Sequence, residues 1–149
     1  MPESGILYAE ELMDIYSVFW RIHAILMSAA FAAMLAGFII ARTGRRTKWW
    51  FKVHRGLGSG GAIGALAALA LAIVMISLTH GFHLSNTHTI VGIIAMFFIT
   101  LTFILPALFR RVKKEAKLPL RRIHKGSGVL SLGLMLASII LGLTFVGIL

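Results

Sequence analysis

Four long apolar segments alternate with short polar ones along the chain. The apolar segments cover residues 22–41, 57–78, 90–108 and 129–149, and none contains Asp, Glu, Lys or Arg. A helix that crosses a bilayer needs about 20 apolar residues, whereas a buried helix of a soluble protein carries a polar face that these segments lack. The pattern predicts an all-α membrane protein, a bundle of four transmembrane helices that forms a single domain over residues 1–149.

The composition agrees with this fold class and excludes several functions. Hydrophobic residues make up 58% of the 149 residues and charged residues 13%, against about 25% charged in soluble domains. With no cysteine, the chain has no disulfide, thiolate metal site or cysteine nucleophile. The net charge of +10 would suggest a nucleic-acid partner in a soluble protein. Here the basic residues lie between apolar segments, and we expect no nucleic-acid partner.

The positions of the charges predict the orientation of the spans. Of the 15 basic residues, six lie between the first and second spans and eight between the third and fourth. The N-terminal segment carries four acids and no basic residue before Arg21, and residues 79–87 carry no charge apart from histidine. By the positive-inside rule, both termini face the outer side and both basic loops the cytoplasm. We expect an integral protein of the prokaryotic cytoplasmic membrane.

A faint internal repeat divides the chain into two related halves. The segment around His54 and the segment around His124, 70 residues later, share the order basic, β-branched, His, basic, Gly, any residue, Gly. This spacing corresponds to one helical hairpin with its loop. The repeat predicts a bundle of two related hairpins.

The placement of the histidines is the main chemical signal in the sequence. One histidine opens each predicted span, within about its first turn: His23, His54, His88 and His124. In three spans a glycine follows four residues later: Gly58, Gly92 and Gly128. Residues i and i+4 share a helix face, so each glycine would leave space beside the imidazole for a flat, bulky group. His23 departs from this pattern, with Met27 at the equivalent position.

The alternating direction of the spans pairs these histidines. Spans one and three run inward, which places His23 and His88 near the outer surface, and spans two and four place His54 and His124 near the inner surface. Two histidines at one depth on facing helices can hold a haem iron from both sides. An ionisable residue inside a span is a functional-site candidate by default. We therefore predict two bis-histidine sites, with two b haems per chain.

Basic residues beside the histidines are candidate partners for the haem propionates, because charge-assisted hydrogen bonds to anions are strong. Four lie at the inner site: Lys52, Arg55, Arg122 and Lys125. At the outer site only Arg21 is available, with Ser85, Asn86 and Thr87 as neutral donors. We attribute the other basic residues to topology and to contacts with lipid headgroups.

Two motifs carry a resemblance to a known family. Trp-x-x-x-His-Arg at residues 50–55 and Arg-Arg-Ile-His-Lys-Gly at residues 121–126, with His83 and His88 before Gly92, resemble the core of the cytochrome b561 family. The resemblance implies two b haems, electron transfer across a membrane, and the same ligand pairs. Animal and plant members have six helices and use ascorbate. This chain has only the four core helices, so ascorbate is not carried over.

A haem with both axial positions filled is limited to one-electron transfer, and the two sites should lie roughly 20 Å apart along the helices. We expect a transmembrane electron-transfer cytochrome whose donor and acceptor include a quinone, a small reductant, a ferric chelate or a redox protein. Its direction of electron flow is open. Two alternatives stay open: a haem-bearing anchor subunit of a larger complex, and a non-redox transporter or assembly protein. The chain could also form a homodimer.

Other residues compete for these roles. His80 and His83 precede the third span and are interpreted as solvated or interfacial, with a proton-carrying or partner-contact role left open. Methionine can serve as an axial haem ligand, and several methionines lie within spans. Because methionine commonly fills gaps in a core, we assign them to packing.

Overall fold

A computed structural model describes residues 3–78, 86–109 and 111–149, with side chains from residue 13 onwards. It contains four long helices, α1 (Glu3–Thr43), α2 (Trp50–Leu78), α3 (Thr87–Leu108) and α4 (Lys117–Phe145). Single 3-10 turns at Gly44–Arg46 and Lys114–Ala116 precede α2 and α4. The described part of the chain has no strand, and all four helices are long and apolar enough to cross a membrane. The predicted fold class and number of spans are confirmed.

The helices extend beyond the apolar segments, which corrects the predicted position of the histidines. α1 begins at Glu3 and α4 at Lys117, because Lys, Arg and Glu are good helix formers and continue a helix past its apolar part. His23 therefore lies in the middle of α1 rather than at its start. At the other end, α4 stops at Phe145 and is followed by Gly147 with φ of 74°, a left-handed conformation typical of residues that follow helix ends.

The start of α3 is set by a side-chain cap. Asn86 has extended backbone angles, and its Oδ1 accepts a hydrogen bond of 2.9 Å from the backbone N–H of Thr89. Asn is among the preferred residues at this position because its side chain satisfies an amide that the helix itself leaves free. The cap places His88 in the first turn of α3.

The four helices form two hairpins. α1 packs closely along α2, and α3 along α4, whereas α1 with α4 and α2 with α3 have far fewer contacts. Among the described residues, α1 does not contact α3 and α2 does not contact α4. The helices therefore stand in a square, in which α1 is diagonally opposite α3 and α2 is diagonally opposite α4.

Small residues and methionines fill the middle of the bundle. Ala65, Ile99 and Met135 are fully buried there, in one apolar cluster with Met34. At Gly61 a Cβ atom would lie 2.8 Å from a backbone oxygen of α1, so only glycine allows α1 and α2 to approach this closely. Met27, Met34 and Met96 belong to this core, and many large apolar side chains point outwards, as a lipid-facing surface requires.

Candidate functional site: two histidine pairs

The four histidines of the spans meet in two pairs inside the bundle. The first pair is His23 and His88, whose ring centroids lie 6.3 Å apart with an interplanar angle of 89°. The second pair is His54 and His124, also at 6.3 Å, with an angle of 82°. Each pair joins diagonally opposite helices, and so takes one histidine from each hairpin. The rings thus meet on the central axis of the bundle.

All four imidazoles are held in the same way, by a hydrogen bond from Nδ1 to a backbone carbonyl. The bonds join His23 to Ala68 at 2.9 Å, His54 to Gly37 at 2.9 Å, His88 to Ser138 at 2.8 Å and His124 to Thr102 at 3.1 Å. A carbonyl oxygen only accepts, so Nδ1 is the donor, and in the neutral ring the lone pair is on Nε2. Among the described residues, no Nε2 makes a hydrogen bond. This is how proteins orient metal-binding histidines.

Each of these hydrogen bonds stays within one hairpin. His23 on α1 bonds to α2 and His54 on α2 bonds back to α1, and the second hairpin repeats this exchange. Both donors and acceptors follow the internal repeat, since 65 residues separate His23 from His88 and 65 separate Gly37 from Thr102. Each hairpin therefore holds its own two imidazoles, whereas the pairs form only between hairpins.

The two pairs lie at two levels that every helix shares. On each helix, 14 residues separate the histidine from the carbonyl that accepts a bond from a neighbouring histidine, as between His23 and Gly37. At 1.5 Å per residue, the levels are about 21 Å apart. Small residues stand midway, seven residues from the histidine on each helix: Ala30, Gly61, Ala95 and Ser131. All four are buried, and they let the helices of each hairpin pack closely between the levels.

The separation within each pair fits a metal ion held between two imidazoles. A metal–nitrogen bond to histidine is about 2.0 Å long, and C–N bonds of about 1.33 Å give the imidazole ring a radius of about 1.1 Å. Two rings bound through Nε2 on opposite sides of one metal would therefore have centroids about 6.3 Å apart. In the described part of the chain, no group of three or more metal-binding side chains occurs. The donor set thus fits a group that needs two axial protein ligands, such as haem.

The glycines that follow the histidines have different surroundings. A Cβ atom on Gly58 would meet nothing within 4 Å, whereas one on Gly92 would lie 3.3 Å from Oγ of Ser138 and one on Gly128 would lie 3.6 Å from Cγ2 of Thr102. Gly58 therefore borders open space. Gly92 and Gly128 face the partner helix within the second hairpin, beside the carbonyls that hold its two histidines.

Sequence analysis missed a glycine that contacts a histidine directly. A Cβ atom on Gly142 of α4 would lie 2.9 Å from Cε1 and 3.0 Å from Nδ1 of His88. Oγ of Ser138, one turn earlier, lies 3.3 Å from the same Nδ1. Gly142 gave no signal in the sequence, because its distance from His88 along the chain hides their contact. The small residues seven and 14 positions after each histidine were a readable signal.

The candidate propionate partners lie on the exposed surface of the bundle. Lys52, Arg55, Arg122 and Lys125 are exposed within two residues of the second histidine pair in sequence. Arg21 is exposed, and its guanidinium group lies over the ring of Trp20, 5.6 Å from the centroid. Of the neutral donors, Asn86 caps α3 with its side chain. Ser85, His80 and His83 lie outside the described residues.

Aromatic rings flank the second pair. The indole of Trp50, one turn before His54 on α2, has its centroid 6.4 Å from the imidazole at a tilt of 33°. Phe109, just after α3, meets His124 nearly edge to face, with centroids 6.1 Å apart. These contacts help to set the orientation of both imidazoles and continue the histidine pair towards the bundle surface.

Comparison with known families identifies one relationship. The family model described as eukaryotic cytochrome b561 matches residues 22–148, which include all eight residues of the four histidine–carbonyl bonds. Searches of curated proteins and of solved structures found no significant match. The expectation of a prokaryotic membrane is not supported, since the family is described as eukaryotic.

Proposed function

This chain belongs to the cytochrome b561 family, and we propose that it carries electrons across a membrane through two b haems, one held near each surface. The family binds haem and takes part in electron transport with redox partners, and four helices of this chain are able to span a membrane. The chain is thus an integral membrane cytochrome b. The number of haems, their positions and the partners are the content of the proposal, together with a single domain over residues 1–149.

The observation that carries the proposal is the shared state of the four imidazoles. Each donates from Nδ1 to a carbonyl and keeps the lone pair of Nε2 for a metal, and each faces a second imidazole at 6.3 Å. A structural histidine in a helix bundle needs only a single partner for its N–H group. Two pairs with the same bonding, at two levels, favour two haems ligated by His23 with His88 and by His54 with His124.

The chain's residues would define the chemistry by closing the axial positions. When bound between two histidines, a haem supplies one-electron transfer and offers no free axial site to a substrate. The carbonyls of Ala68, Gly37, Ser138 and Thr102 hold the imidazoles in one tautomer and orientation, which limits ligand movement when the charge of the iron changes. The close packing of each hairpin keeps these carbonyls in place.

The basic residues support an orientation. Fourteen of the 15 basic residues follow the first span and flank the level of His54 and His124, so the positive-inside rule favours the cytoplasmic side for this pair. In this proposal both termini and the pair of His23 and His88 face the opposite side. Lys52, Arg55, Arg122 and Lys125 would neutralise propionates at the inner site, and Arg21 is the candidate at the outer site.

The short connections between helices point to electron exchange at the protein surface. α1 and α2 are joined by six residues, 44–49, and α3 and α4 by eight, 109–116, too few for a separate substrate-binding domain. We therefore propose a donor and an acceptor that meet the protein at opposite membrane surfaces, or a quinone that reaches a site from the lipid. Docking of a soluble dehydrogenase on the basic surface is the alternative for the inner side.

Removal of single ligands tests the proposal. Purified protein should show sharp α and β bands in a reduced-minus-oxidised spectrum and two haems per chain in a pyridine haemochrome assay. His54→Ala and His124→Ala should each lower the count to one and remove the same spectral component, whereas His23→Ala should remove the other. Protein that stays colourless after addition of haem would refute the proposal, and so would loss of the same component from all three variants.

A further inference from the structure

A cleft lies between the end of α3 and the start of α4, outside the histidine pairs. It has a volume of about 400 Å³ and is lined by three cations and two apolar side chains: Lys114, Lys117, Arg121, Phe109 and Leu118. Lys117 and Arg121 are four residues apart on α4 and so share a helix face. Their charges and that of Lys114 are therefore directed at one small volume.

The chain has too few acids to neutralise this cleft. After Asp14 the sequence contains a single carboxylate, Glu115, against 15 Lys and Arg. Three cations around one cavity repel one another, and an anion that enters between them relieves the repulsion and forms charge-assisted hydrogen bonds. The charge imbalance requires that this anion come from outside the chain.

The apolar half of the cleft indicates what kind of anion fits. Leu118 is 59% exposed and Leu108, at the end of α3, is 39% exposed. Water-soluble anions would leave these side chains uncovered, whereas the acyl chain of a lipid would cover them. The cleft also lies at the end of two spans, where lipid phosphates are found, and basic pockets between transmembrane helices are known to bind such headgroups.

We propose that this cleft binds an anionic phospholipid, with its phosphate among Lys114, Lys117 and Arg121 and an acyl chain along Leu118. The bound lipid would contact Phe109, whose ring packs against His124. A headgroup in the cleft would thus be separated from the inner histidine pair by a single side chain, and would hold Phe109 in its place against that pair.

Native mass spectrometry of the purified protein, titrated with phosphatidylglycerol and with zwitterionic phosphatidylcholine, tests the proposal. The double variant Lys117→Gln, Arg121→Gln should bind phosphatidylglycerol about 30-fold more weakly, since each basic residue near a membrane surface contributes about a factor of five. The matched control Arg45→Gln, Arg46→Gln removes two exposed cations of the other basic loop and should change the affinity less than twofold.

Two further measurements distinguish a lipid from a free anion. Inorganic phosphate at millimolar concentration should not displace phosphatidylglycerol, and Leu118→Gln should weaken lipid binding while all three cations remain. Equal affinity for the two lipids, equal losses in the two double variants, or displacement by phosphate would each overturn the proposal. These readouts count bound lipid, so they are independent of whether haem is bound by the histidines.

Discussion

The contact between Gly142 and His88 yields a sharp prediction, because one added methyl group reaches a ligand imidazole. In Gly142→Ala the Cβ atom would lie 2.9 Å from Cε1 and 3.0 Å from Nδ1 of His88, whereas ordinary contacts begin at 3.4 Å. The ring must therefore move by about 0.4–0.5 Å, since metal–ligand distances are held within about 0.2 Å. The displacement also disturbs the hydrogen bond from His88 to the carbonyl of Ser138.

We expect the outer haem to bind about 10–100-fold more weakly in this variant, the range found when partners of metal-ligating histidines are changed. This corresponds to about 1.4–2.7 kcal/mol of binding free energy. The helix itself should not suffer, because alanine favours helix over glycine by about 1 kcal/mol. The inner pair of His54 and His124 lies about 21 Å away along the helices and should keep its haem.

The assay is the rate of haem transfer from the purified protein to excess apomyoglobin, followed by visible absorption, with the haem count before and after. Wild type should lose both haems slowly, and Gly142→Ala should lose one rapidly and one slowly. The matched control is Gly133→Ala on the same helix, where a Cβ atom meets nothing within 4 Å. Equal transfer rates for the two variants would show that Gly142 does not position the ligand His88, and would refute the reasoning.

Two further predictions concern the space around the site and the assembly of the bundle. Gly58→Leu should abolish the inner haem, because Gly58 borders open space beside His54, whereas Gly60→Leu, about 200° around the same helix, should not. An unchanged haem count in Gly58→Leu would place the haem elsewhere. Because the chain has no cysteine, spin labels at Ile63→Cys and Phe97→Cys can report the distance between the hairpins, with Phe97→Cys and Leu136→Cys as the pair within one hairpin. Haem removal should broaden only the first distance distribution, since the histidine pairs join hairpins that otherwise contact each other sparsely; equal broadening of both would contradict this.

The histidine pairs follow from sequence features that do not depend on fine packing. Apolar segments of sufficient length must cross the membrane as helices, and consecutive spans must alternate in direction. Two histidines at the start of the first and third spans therefore come to one level, and those of the second and fourth to the other. The small residues seven and 14 positions after each histidine, such as Ala30 and Gly37, are equally visible in the sequence.

What the tertiary structure alone decided is which backbone and which glycine each imidazole meets. Every residue except proline carries the same carbonyl and amide groups, so the sequence does not mark Ala68 as an acceptor; the rotation and depth of α1 against α2 select it. Likewise the sequence places Gly92 and Gly142 on helices, but their direction depends on how α3 and α4 are rotated. Residue type and spacing determined the ligands, whereas helix packing determined the shell around them, because packing depends on contacts between residues that are distant in the chain.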